Sequence, residues 1–154
     1  MNRAWLSLLG PAVLAGCSRV TFSNERLESI QPELNRQYDL WTSQAIPAYE
    51  YRFARECPCS ADLTRSVLVS VEDTVIIAVT YADSGTAVPD SAFASYFTVE
   101  GLFRQAQIAI NVLADSLVVQ YDPVLHYPTT ILVDQNRFLI NDELSLFASE
   151  LKKQ

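Results

Sequence analysis

Ala48-Tyr49-Glu50-Tyr51-Arg52-Phe53-Ala54 alternates strictly, with Tyr49, Tyr51 and Phe53 on one side and Glu50, Arg52 and Ala54 on the other. Successive side chains of an extended strand point to opposite faces, so the stretch reads as a half-buried β-strand with an aromatic inner face. Cys57-Pro58-Cys59-Ser60 interrupts it. Val67, Val69 and Val71 repeat the alternation in a second strand from about Arg65 to Glu72. Glu72-Asp73 makes a tight turn, and Thr74 to Tyr81 forms a third strand. Three strands with short links predict an antiparallel meander.

Helical spacing flanks the meander on both sides. Leu27, Ile30, Leu34, Tyr38 and Trp41 recur at three- and four-residue intervals, the period of one helix face. Pro32 lies within this pattern, and a proline is best tolerated in a helix's first turn. A helix is therefore expected at about 32–44, with or without a preceding helical turn, with Pro47 ending it and the Trp41 face in the core. Residues 82–96, rich in Ala, Ser, Asp, Gly and Pro, read as a long loop. Thr98 has the character of an N-cap, and Leu102, Ala106, Ile110 and Leu113 stripe a second helix to about Ala114. Gly101 inside it suggests a close packing contact. Leu117–Tyr121 and Pro128–Asp134 read as a strand pair joined by the loop 122–127, and Leu144–Leu151 as a last strand or helix. The sum is an α+β fold: an antiparallel sheet of about five to six strands with two helices packed on one face.

The N-terminus carries a different signal. One positive residue, Arg3, precedes an apolar run from Ala4 to Ala15 that is shorter than the roughly 20 residues a spanning helix needs. It reads as a secretory signal. Leu14-Ala15-Gly16-Cys17 resembles the bacterial lipobox, in which the cysteine thiol is acylated with diacylglycerol and becomes the mature N-terminus. That resemblance implies a signal peptide over 1–16, a lipidated N-terminus and tether over 17–31, and one α+β domain over 32–154. It also implies a lipid-anchored place in the cell envelope. Ser18 after the cysteine implies the outer membrane, facing the periplasm, in a Gram-negative source; otherwise the outer face of the plasma membrane is expected.

A formal charge of −7, with 18 acidic residues against 11 lysines and arginines, argues against nucleic acid or anionic lipid as a partner. Lys152-Lys153 is the longest basic run. Four dispersed glycines leave no phosphate-binding loop, and no cofactor is expected.

Taken together, the motifs resemble a family of bacterial lipoproteins of unknown function, the DUF6174 type. The matching pieces are Trp41, Tyr49-Glu50-Tyr51, Cys57-Pro58-Cys59 and the valine strands. After them come Thr98-Val99-Glu100-Gly101-Leu102-Phe103, Tyr121-Asp122-Pro123, Tyr127-Pro128 and Asp134. The resemblance covers about residues 38–144 and implies no activity. His126 stands where that family tends to carry glycine, so the position is expected to need a positive φ, which histidine tolerates better than a branched residue.

Two constellations carry chemistry. With Cys17 acylated, Cys57 and Cys59 form an even pair in an oxidising compartment. They read as a structural disulfide capping the first hairpin, as a thiol pair awaiting a metal or partner, or as a redox couple. A zinc site would need His126, the single imidazole, and a carboxylate brought close to them. Tyr121, Asp122, His126, Tyr127 and Asp134 could form a small polar site, or Asp122 and Asp134 a cation site. The competing reading is a hairpin whose Asp caps the turn while its tyrosines cover the core edge. No serine sits in a nucleophile-elbow setting beside His126 and Asp122. An enzyme is not expected. The leading expectation is a non-enzymatic binding or structural module that meets the membrane through its lipid and an envelope protein or cell-wall partner through its domain. The alternative is a thiol-dependent redox or metal-binding lipoprotein centred on Cys57 and Cys59.

Overall fold

The computed structural model describes residues 22–154. The signal segment and Leu14–Cys17 lie outside the described residues. Helix α1 (Phe22–Ser43) leads into strand β1 (Ala48–Glu56), a single turn α2 (Ala61–Thr64), then β2 (Val67–Glu72) and β3 (Val75–Tyr81). A 3-10 turn (Asp90–Ser95) precedes α3 (Val99–Asn111), and β4 (Ser116–Tyr121), β5 (Pro128–Asp134) and β6 (Glu143–Lys153) follow. The six strands form one sheet in the order β3-β2-β1-β6-β5-β4, every neighbour antiparallel. The fold is α+β, with the meander and the β4–β5 hairpin where the alternation places them.

One face of this sheet holds the core. Tyr49, Tyr51 and Phe53 are buried, as are Val67, Val69, Val71, Leu117, Ile131 and Leu146. Trp41 of α1 meets the Tyr49 ring edge-on at 5.4 Å, and Phe53 meets Phe97 at 5.8 Å. Burying each such side chain contributes about 1.5–3 kcal/mol, more than any polar contact described below. The helices run antiparallel on this face. Trp41 bonds Glu100, Tyr38 packs on Phe103 and Gln31 bonds Gln107, so one helix's numbers rise as the other's fall.

Two expectations need correction, and the final segment, open between strand and helix, is decided. Helix α1 begins at Phe22, so residues 22–31 are helix and not tether, and Pro32 lies within the helix. Leu27 is buried and Ile30 half-buried on the stripe that continues through Leu34 and Trp41, and their burial holds the extra turns in place. Pro32 and Glu28 are both exposed. Water therefore reaches the Glu28 carbonyl that the proline cannot bond, which softens the usual interior penalty of about 3 kcal/mol. Residues 82–96 are not a plain loop: the chain forms a 3-10 turn, and Val88 and Tyr96 are buried. The final segment is a strand, Glu143–Lys153, longer than its weak alternation suggests because a shift in pairing between Glu50 and Arg52 breaks the period.

Thr98 caps α3, its Oγ1 accepting from the Gly101 N–H at 3.1 Å. A Cβ on Gly101 would stand 3.1 Å from the Cβ of Phe97, so the close contact expected there is present.

Candidate functional site

Asp122 closes the β4–β5 loop. Its Oδ1 accepts the N–H groups of Val124 at 2.9 Å and Leu125 at 2.6 Å, while its own N–H donates to the Tyr127 carbonyl at 2.9 Å. This is a side chain mimicking a backbone turn. His126 has φ of +65°, the left-handed conformation expected at this position. Its Nδ1 lies 2.9 Å from the Gln37 Oε1, an atom that only accepts, so Nδ1 carries the proton. Gln37 in turn donates to Glu33 at 2.7 Å, and Arg36 holds Glu33 from the other side at 2.7 Å. The Arg36 and Gln37 hydrogen bonds keep the Glu33 carboxyl down at about 2. Tyr127 is buried with its ring 6.4 Å from Trp41. Tyr121 packs on Phe103 at 6.1 Å, and burial pushes its hydroxyl pKa up.

The loop is thus tied to α1 through Glu33 and Gln37, residues the sequence reading did not single out. Their four-residue spacing on one helix face was the available signal. An amide stands between the imidazole and the carboxylate, so the chain of bonds orients His126 without giving it a base. Among the described residues no serine or thiol completes it.

Asp134 does not join this cluster. It pairs with Ser116 at the start of β4, whereas Asp122 follows Tyr121 at the other end of that strand. Six steps along the chain at about 3.3 Å each, from Ser116 to Asp122, separate them by roughly 20 Å. A cation site built from Asp122 and Asp134 is excluded by that register. Cys57 and Cys59 are equally remote from His126. Glu56 pairs with Ser145, and the cysteine turn lies against Asn141 and Glu143, at the Asp134 end of the sheet. Cys57 and Cys59 are joined in a disulfide with their Cα atoms 5.3 Å apart. The bridge closes the turn after β1, and a bridged sulfur is not a thiolate ligand. Among the described residues, no group of three or more His, Cys, Asp or Glu could hold a metal.

A polar seam through the core was not legible as such. Trp41 Nε1 donates to the Glu100 Oε1 at 2.8 Å, and the Tyr49 hydroxyl accepts the Val99 N–H at 2.9 Å. The Tyr51 hydroxyl donates to the Phe97 carbonyl, and Arg55 reaches the Ser95 carbonyl while lying 5.1 Å from the Phe53 ring centre. Burial pushes the hydroxyl pKa values of Tyr49 and Tyr51 up, so neither phenol acts as a base. These bonds fasten the 3-10 segment and the start of α3 onto β1.

Among the clefts that open on the surface, two border α3. One of about 240 Å³ lies between α1 and α3, floored by Leu34 and Phe103, and is smaller than the roughly 300–1,000 Å³ of ordinary ligand sites. Another of about 500 Å³ lies between β3 and the 3-10 segment, lined by Ile76, Phe93 and Phe97 with Arg104 as its one charged group. The first also carries Arg104 and Glu100, the latter engaged by the Trp41 Nε1–H, and neither cleft is lined by a His, Cys or Ser.

The sheet's outer face mixes apolar and polar side chains. Phe147 is flanked by Ala54 and Thr130, and Leu132 by Val118 and Ser145. At one end of the sheet, the β5–β6 turn exposes Phe138, Leu139 and Ile140 at 81%, 57% and 87% of their surface. No helix among the described residues is long and apolar enough to cross a membrane.

The model of one protein family, described as a family of unknown function (DUF6174), matches residues 33–153. No curated protein and no solved structure matches the chain.

Proposed function

Because the chain belongs to the DUF6174 family, whose function is unknown, we propose its role from its own residues: a cell-envelope protein held at a membrane by lipid on Cys17, with a non-enzymatic domain that docks a protein or cell-wall partner. The lipobox resemblance supports the anchor. The observation that carries the binding role is the sheet's outer face, where Phe147 stands beside Ala54 and Leu132 beside Val118, with Thr130 and Ser145 between them. Large apolar side chains on a sheet face that no helix covers favour a partner surface. Catalysis has less support, since the candidate polar residues are engaged in the turn, the core and the helix-to-loop bonds.

The anchor is tested by fractionating cells that make the native chain or Cys17→Ala; the reading requires the native chain in the membrane and the variant out of it. The docking role is tested with a photo-crosslinking residue at Leu132 in intact cells. A discrete adduct made by the anchored protein and lost with Cys17→Ala supports it. Absence of any adduct from Leu132 and from Phe147 overturns it.

The exposure of Cys59 favours a second reading, in which the bridge is a redox couple. It requires that thioredoxin-type reductants open the bridge in the folded protein; a bridge that yields only after unfolding removes this reading.

A further inference from the structure

We propose that the turn Phe138-Leu139-Ile140 enters the lipid bilayer to which Cys17 is attached, so that the domain meets the membrane at two points. The proposal rests on the anchor reading above and extends it to an orientation.

The argument is one of placement. Helix α1 runs along β4: Glu33 lies beside Tyr121, and Arg26 and Ile30 lie against Leu117 and Val118. Phe22, the helix's first residue, is a further turn beyond Arg26, past the start of β4. There the Asp115 N–H donates to the Gln135 carbonyl, and the Asp115 carboxylate accepts from the Arg137 N–H at 2.9 Å. Arg137 is the residue before the exposed turn. The first turn of α1 and Phe138-Leu139-Ile140 therefore project from the same end of the sheet. Four residues, 18–21, separate Cys17 from Phe22, and the five steps between them, at about 3.5 Å each, reach no more than roughly 18 Å. A lipid on Cys17 holds this end, and no other, close to the bilayer.

The chemistry of the end agrees. Val112 and Leu113, just before Asp115, are exposed at 55% and 58% and add to the apolar surface. Arg26 and Arg137 are outnumbered there by Glu56, Asp115, Asp134, Asp142 and Glu143. Contact with the membrane is thus apolar and not electrostatic, and it favours zwitterionic lipid over anionic lipid. The opposite end differs: the β2–β3 turn, where Asp73 bonds Pro47, follows the C-terminal end of α1.

The test uses mature lipidated protein carrying Phe138→Trp, reconstituted in phosphatidylcholine vesicles with and without bromine on the acyl chains. Ile140→Trp serves as a second reporter, and Val75→Trp marks the far end. The native Trp41, buried in the core, gives the background. Blue-shifted emission and bromine quenching at 138 and 140, with Val75→Trp at background, is the expected result. Quenching absent at 138 and 140, in protein whose intact mass shows acylated Cys17, overturns the docking and leaves the anchor standing. Unmodified Cys17 overturns both. A blue shift at 138 without vesicles that fades on dilution assigns the turn to a second copy of the chain, and equal quenching at Val75→Trp denies any orientation; either result overturns the proposal.

Discussion

The hydroxyl of Tyr49 accepts the backbone N–H of Val99 at 2.9 Å, across the boundary between the central sheet and the first turn of α3. Val99 is fully buried, so no water can take the place of that oxygen. Tyr49→Phe keeps the ring and strands the donor. A loss of about 1–3 kcal/mol is expected, read as a lower urea midpoint with an unchanged m-value.

His126 occupies a left-handed backbone position while holding Gln37. Replacement by glycine relieves the conformational cost but gives up the hydrogen bond and adds freedom to the unfolded chain. These terms oppose one another, and His126→Gly should remain within about 1 kcal/mol of the native protein. His126→Val combines a branched side chain with positive φ and loses the bond too. It should fall by more than about 1 kcal/mol, visible in thermal unfolding of the two variants side by side.

Asp122→Ala removes the acceptor of two loop N–H groups. The Val124 donor is exposed, so water replaces part of the loss, and about 1 kcal/mol of destabilisation is expected. Hydrogen exchange at Val124 and Leu125 should quicken while the central strands keep their protection.

Glu33 titrates at about 2, well below the ordinary carboxyl value of 4.5, because Arg36 and Gln37 bond its charged form. A depressed folded-state value stabilises the protein above the unfolded value, and that contribution is lost as pH falls through the window from about 4.5 to about 2. The carboxylate is half exposed to solvent, so the contribution is screened to well under about 1 kcal/mol. Glu33→Gln should flatten the acid limb of a stability-against-pH curve slightly and leave neutral stability almost unchanged.

The bridge between Cys57 and Cys59 predicts no reactive thiol at either position in non-reduced, denatured protein. Because the closed loop is very short, chain entropy gives it only about 1–2 kcal/mol, and reduction should lower the unfolding midpoint by a correspondingly small step.

Legibility followed the length and regularity of each pattern. The Tyr49/Tyr51/Phe53 alternation, the valine strands and the Leu102/Ala106 stripe each repeat one period and become the core. Periodicity failed where a local rule opposed a tertiary gain. Pro32 argued for a helix start, yet Leu27 and Ile30 bury enough surface to carry the helix past it. The 82–96 composition argued for open loop, but Val88 and Tyr96 reach the core from it. For the candidate sites, nearness in sequence misled. Asp134 lies a few residues from Tyr127 along β5, and an antiparallel strand carries that separation straight to the opposite end of the sheet. Pairing of Glu33 and Gln37 with His126 depended on a contact 89 residues apart between Gln37 and His126, which no local pattern encodes.

Strand β6 lies between β1 and β5, and it alone joins the meander to the β4–β5 hairpin. During synthesis, the meander and hairpin can each form while β1 and β5 still offer bare edges to other chains. Completion waits for the segment Glu143–Lys153, so the sheet closes only once its last strand in chain order has been made. A chain halted before residue 143 would present two half-sheets with bare edges, prime clients for holdase chaperones and proteases.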